Sequence, residues 1–150
     1  MEGNFNGIYR HHLDAKGRLS VPAKFREILG SRFMIGIGTG DCLLIYTMED
    51  WKNFEQKLRS LPATFNEDAE EILRWYGMNT LEVEVDAQGR IILPQQLREA
   101  GGITKNVVFA GRIDRAELWS EEAFDEHMRK VTKKDIREAA ARLYANGIQF

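Results

Sequence analysis

The chain spells one phrase twice. LDAKGRLSVPAKFREILG runs from Leu13 to Gly30, and VDAQGRIILPQQLREAGG runs from Val85 to Gly102. A shift of 72 positions aligns Asp14 with Asp86, Ala15 with Ala87, Gly17 with Gly89 and Arg18 with Arg90. The same shift aligns Pro22 with Pro94, Arg26 with Arg98, Glu27 with Glu99 and Gly30 with Gly102. That is eight identities in 17 positions, with glycine, proline and charge in register. One further residue of shift brings Ile45-Tyr46-Thr47 onto Leu118-Trp119-Ser120 and Trp51 onto Phe124. Two copies of one supersecondary unit must therefore share the fold, and two are too few for a solenoid.

Each unit reads as a β-hairpin followed by a short helix. Ile8–Leu13 and Leu81–Val85 are predicted strands, the second alternating apolar and polar residues with period two. Asp14-Ala15-Lys16-Gly17 and Asp86-Ala87-Gln88-Gly89 are predicted turns. The aspartates can accept backbone hydrogen bonds, and Gly17 and Gly89 supply a positive φ. Arg18–Val21 and Arg90–Leu93 are the returning strands, ended by Pro22 and Pro94, which suit a helix start. Ala23–Leu29 and Gln95–Ala100 follow as short helices stopped by glycine. Further strands are expected over Phe33–Ile37, Leu43–Tyr46, Val107–Ala110 and Ala116–Trp119.

Thr47, Ser120 and Thr132 are good N-caps for longer helices. Trp51, Phe54 and Leu58 share one helical face, as do Ala69, Ile72, Leu73 and Tyr76. Ile136, Ala140 and Leu143 are expected to face inward from the last helix. Four segments result: repeat 1 at 8–50, connecting helices at 51–79, repeat 2 at 80–123, and a helical tail at 124–150.

The pattern of hairpin, Asp-x-x-Gly-Arg, strand, proline, short helix and glycine resembles the SpoVT/AbrB swapped-hairpin DNA-binding motif. Two copies in a chain of this length, opening on Gly7–Arg18, closely resemble the MraZ family. The resemblance implies an α+β fold: two pseudo-symmetric β-hairpin/helix repeats forming a swapped-hairpin-type barrel, with flanking α-helices. It implies a bacterial transcriptional regulator, a repressor, acting on a promoter upstream of a cell-division and cell-wall gene cluster. It also implies a ring-shaped homo-oligomer in the cytoplasm, associated with the nucleoid.

Charge distribution points the same way. The net charge is −2. Yet Arg10 to Arg32 holds six basic residues against Asp14 and Glu27, a net of +4, leaving 15 basic against 21 acidic elsewhere. Phosphate contact needs clustered cations of this kind. Lys16 at the hairpin tip can neutralise phosphate, Arg18 can reach guanine bidentately, and Arg10 lies nearby in the strand. In the second copy Gln88 replaces Lys16, and Glu82 and Glu84 replace Arg10 and His12. The first hairpin is thus expected to meet DNA and the second to support fold or assembly, with Arg90 a lesser DNA candidate. Asp14 and Asp86 read as structural partners of Arg18 and Arg90. One tip reads few base pairs, so several short direct repeats in double-stranded DNA are the expected target.

Other classes find little support. His11 and His12 are adjacent on a strand and point to opposite faces, so they cannot readily share a metal. The single cysteine, Cys42, sits in an apolar run and reads as an inert core residue. No phosphate-binding loop, nucleophile motif or metal-ligand cluster appears, so no catalytic residue, cofactor or small-molecule ligand is expected. No apolar run approaches a membrane span. The alternatives are a ring-forming assembly protein, which would not need the charge asymmetry, and an antitoxin-like regulator with a toxin-gripping tail.

Overall fold

The computed structural model describes residues 3–150. The first repeat runs β1 (Ile8–His12), β2 (Arg18–Ser20), α1 (Ala23–Leu29), β3 (Arg32–Ile37), β4 (Leu43–Thr47), α2 (Met48–Arg59) and α3 (Glu67–Met78). The second runs β5 (Thr80–Glu84), β6 (Arg90–Ile92), α4 (Gln95–Ala100), β7 (Asn106–Gly111), β8 (Ala116–Ser120), α5 (Glu121–Lys130) and α6 (Lys133–Ala145). The helix starts follow local chemistry. Pro22 and Pro94 stand just before α1 and α4, and their carbonyls accept the first helical N–H groups, from Arg26 and Arg98 among others. Thr47, Asn66, Ser120 and Thr132 each cap the next helix by accepting a backbone N–H.

The strand pairing departs from a hairpin within each repeat. Ile8–Leu13 does not run back along Arg18–Val21. Instead β1 pairs with β7, Ile8 opposite Ala110, and β5 pairs with β3, Glu84 opposite Arg32. The short strands β2 and β6 pair with each other. Every one of these partnerships joins one repeat to the other. The reason lies in the core. This arrangement turns Leu13, Leu19 and Ile91 into one interior, at 6, 0 and 1% exposure. A flat two-stranded hairpin alone could not bury them.

The result is a mixed α/β fold built on a six-stranded antiparallel sheet, in the order β1-β7-β8-β4-β3-β5, with a separate two-stranded ribbon, β2-β6. The six-stranded ladder is open: β1 and β5 are its ends, and among the described residues no ladder joins them. The ribbon touches β1 through β2 and β5 through β6. Beneath it lies the main core, drawn from both repeats. Phe25 of α1 is its centre, meeting Phe5 and Tyr9 edge-on at 5.2 Å and Phe109 at 6.4 Å. A second cluster holds Trp119 and Phe124 under α5, and a third holds Tyr46, Trp51 and Leu58 under α2.

One expected face is absent. Ile136 and Leu143 do not point inward; α6 buries none of its residues. The chain turns at Val131-Thr132, and among the described residues no core cluster includes a residue of α6.

Candidate nucleic-acid interface

The two Asp-x-x-Gly-Arg turns are built alike. The Asp14 backbone N–H donates to Arg18 O and the Gly17 N–H to Asp14 O, at 2.9 and 3.0 Å; Asp86, Arg90 and Gly89 repeat this at 2.8 and 3.0 Å. Gly17 and Gly89 have φ of +76° and +79°, which a residue with a β-carbon resists. Asp14 Oδ1 accepts the backbone N–H groups of Lys16 and Arg18, both at 2.9 Å, and its Oδ2 accepts Arg18 Nε–H at 2.6 Å. Asp86 treats Gln88 and Arg90 the same way, with Arg90 Nε at 3.2 Å. The Arg18 backbone N–H, with help from its guanidinium and the Lys16 N–H, holds the Asp14 carboxyl down to about 2. Asp86 is lowered chiefly by the Arg90 N–H.

Each aspartate thus fixes an arginine by its Nε. Among the described residues the Nη groups of Arg18 and Arg90 have no hydrogen-bond partner, so four donors on each guanidinium remain free. Strand alternation decides where they stand. Leu19 and Ile91 face the core, so Arg18, Ser20, Arg90 and Ile92 occupy the opposite face. Arg18 lies across from Ile92 and Ser20 across from Arg90, so the two arginines sit diagonally on one ribbon. Ile92 is a large apolar residue left 66% exposed on that face. Because the strands are antiparallel, the two turns, with Lys16 and Gln88 at their exposed tips, stand at opposite ends. Val21 N–H to Gly89 O and Leu93 N–H to Gly17 O, each 3.0 Å, extend the ladder to those ends.

This pairing puts the two repeats on one surface. The hairpins are not separate surfaces, and Arg90 shares the ribbon with Arg18. Arg10 is placed differently. It pairs with Asp125 at 3.0 Å and Glu121 at 3.4 Å, and its guanidinium lies 5.6 Å from the Phe124 ring centre. The Asp125 hydrogen bond leads the interactions that raise its pKa. Two carboxylates therefore already neutralise Arg10, beside α5 rather than within the ribbon.

Two arginines escaped the sequence reading. Arg26 of α1 donates from Nε to Val21 O at 3.0 Å, and its guanidinium rests against Gly89 of the other repeat. Arg98 of α4 rests against Gly17 in the same manner. The signal was present, because the 72-residue shift superposes Arg26 on Arg98. His11 and His12 lie on β1, half-buried and exposed respectively, and burial lowers the pKa of His11. Cys42 is buried, and desolvation pushes its thiol up to about 12. Among the described residues no group of His, Cys, Asp and Glu could hold a metal ion, and no helix is long and apolar enough to cross a membrane.

A family model described as "MraZ protein, putative antitoxin-like" matches residues 5–74 and again residues 77–146. The chain is 44% identical to a protein of Caldanaerobacter subterraneus subsp. tengcongensis, over 91% of this chain and 94% of that one. It is 46% identical to a protein of Thermoanaerobacter sp., over 81% and 84%. It is 45% identical to one from Acetivibrio thermocellus, over 82% and 85%. All three relatives bear the name Transcriptional regulator MraZ.

Proposed function

The chain belongs to the MraZ family, and from that premise we propose that it is a DNA-binding transcriptional regulator whose β2-β6 ribbon enters the major groove of promoter DNA. One observation carries the reading: two arginines, each clamped at Nε by an aspartate, stand on the outer face of a single two-stranded ribbon. A ribbon whose strands are about 4.8 Å apart fits a groove about 12 Å wide. The Nη donors of Arg18 and Arg90 then meet guanine O6 and N7. The aspartates hold those side chains in place, so less rotamer freedom is lost on binding. Ile92 offers apolar contact to a thymine methyl. Lys16 meets phosphate at one end of the ribbon, and Gln88 leaves the other end uncharged. Arg26 and Arg98 stiffen the turns from behind.

The exchange of strands between repeats supports the swapped-hairpin reading of the fold. One ribbon reads too few base pairs to select a promoter, so the working form is a homo-oligomer, a ring, on direct repeats about one helical turn apart. The protein acts as a repressor at the nucleoid, on a promoter upstream of its own cell-division and cell-wall gene cluster. Footprinting the purified protein on DNA just upstream of its gene tests this. Protection in phase with short direct repeats, lost in the Arg18→Ala/Arg90→Ala double variant, is expected. Protection that survives the double variant, with the fold intact, excludes the ribbon.

A further inference from the structure

Among the described residues, two apolar surfaces of this chain lack a partner within it. The first is a groove of about 570 Å³ between α2 and α3, lined by Phe54, Leu58, Leu61, Ile72, Trp75 and Tyr76 among others. Trp75 is anchored there, its indole N–H donating to Gly38 O at 3.2 Å. Even so, Ile72 and Trp75 stay 43 and 42% exposed. The second surface is the apolar side of α6, where Ile136 is 60% and Leu143 41% exposed.

The repeat makes the second surface conspicuous. In element order α6 holds the place in repeat 2 that α3 holds in repeat 1. Helix α3 has a partner: Tyr76 meets Phe54 of α2 edge-on at 5.0 Å. Among the described residues helix α6 has none: no core cluster, that under α5 included, contains an α6 residue. The charges of the two helices are opposite. Helix α3 carries four acidic side chains against one arginine, and α6 carries four basic against two acidic. Ile136, Ala140 and Leu143 fall at i, i+4 and i+7, the spacing by which a helix anchors in an apolar groove.

We propose that α6 of one copy docks in the α2–α3 groove of a second copy, with Ile136, Ala140 and Leu143 as its anchors. This rests on the homo-oligomer reading above and names the surfaces that build it. The two surfaces differ, so each chain offers one groove and one helix, and contacts run head to tail. Such a heterologous contact closes into a ring when its rotation allows.

Two experiments on the full chain test this. Ile136→Asp combined with Leu143→Asp alters exposed positions only, so far-UV circular dichroism stays native while light scattering falls to the mass of one chain. An unchanged mass, or a wild type that is already monomeric, overturns the proposal. The second experiment does not depend on that variant folding. Chains carrying Ile72→Cys and chains carrying Leu143→Cys are co-expressed and oxidised, with Cys42 buried and silent. A covalent dimer that forms from the mixture, and from neither variant alone, supports the docking. No dimer from the mixture, or an internal disulfide in a dilute chain carrying both substitutions, overturns it. Duplexes separate this from the DNA reading. The charge variant should keep wild-type affinity for one repeat and lose at least about 10²-fold on three repeats, since only avidity is removed. If no duplex binds either protein while the mass still falls, the DNA reading fails and the docking stands.

Discussion

The guanidinium of Arg26 lies against Gly89 of the other repeat, its Nη1 only 2.6 Å from where a β-carbon on that glycine would stand. Arg98 mirrors it on Gly17, at 3.4 Å. Each Asp-x-x-Gly-Arg turn is therefore backed by an arginine from the opposite half. Gly89 is required twice, once for its positive φ and once for the space the arginine occupies, whereas at Gly17 a β-carbon would meet Arg98 at ordinary contact distance.

Gly89→Ala should consequently destabilise the protein more than its backbone angle alone demands. The left-handed conformation costs about 1–2 kcal/mol. Displacing Arg26 from Val21 O adds about 1 kcal/mol. Gly30→Ala is the control: its φ is +76° and a β-carbon there meets nothing within 4 Å, so it should lose only the backbone cost of about 1–2 kcal/mol. Urea unfolding measures both, and equal losses in the two variants refute the arginine backing.

Arg18→Ala should weaken promoter binding by about 1–3 kcal/mol per ribbon and relax specificity at the base it reads. Arg18→Lys should recover little, because an ammonium cannot use the Asp14 clamp and a bidentate guanine contact together. Fluorescence anisotropy on promoter and scrambled duplexes reads both effects. Full rescue by lysine means that Arg18 touches phosphate only.

Salt dependence separates the turn tips. Lys16→Ala should flatten the slope of log affinity against log salt by about 0.9 per ribbon. Gln88→Lys should steepen it by a similar amount, since Gln88 occupies the matching tip. A slope indifferent to Gln88→Lys means that only one end of the ribbon reaches the backbone.

The depressed Asp14 carboxyl predicts a pH dependence. Its folded value of about 2 lies below the ordinary 3.8. A lowered folded-state pKa adds stability that is complete above about pH 4 and is lost as pH falls toward 2. Asp14→Asn removes that titration. Urea midpoints of wild type and variant should differ at pH 5, and the gap should close between pH 4 and 2. A gap that holds constant over this range rules out the charge as its source.

Phe25→Ala should cost about 3–5 kcal/mol, a large share of a typical domain's stability. Its ring joins Phe5, Tyr9 and Phe109, which belong to both repeats. Thermal unfolding should remain a single transition at lower temperature. Two separated transitions would mean that the repeats hold separate cores.

What could be read from sequence was local. Gly17, Pro22, Thr47, Ser120 and Thr132 act within a few residues of themselves, so their roles follow from their immediate neighbours. The turn partners Asp14–Arg18 and Asp86–Arg90 are equally close in sequence. Partner choice was not legible. Alternation along Arg90–Leu93 tells which side chains face inward, but Ser20 opposite Arg90 follows from the packing of two halves 72 residues apart. Nothing near Arg10 in sequence reveals that Glu121 and Asp125 pair with it. Arg26 and Arg98 align in the repeat, but nothing near them in sequence reveals that each lies against the turn of the other half. Ile136 and Leu143 had the periodicity of a buried face, and periodicity does not say what does the burying.

The strand exchange has a consequence in time. Ile8 pairs with Ala110, so at about 5–20 residues per second the first strand waits roughly 5–20 s on the ribosome for its partner. The ribbon has the same constraint, because Arg90 is made long after Arg18. A chain terminated before Arg90 therefore carries no β2-β6 ribbon, because the second of its two strands has not been made.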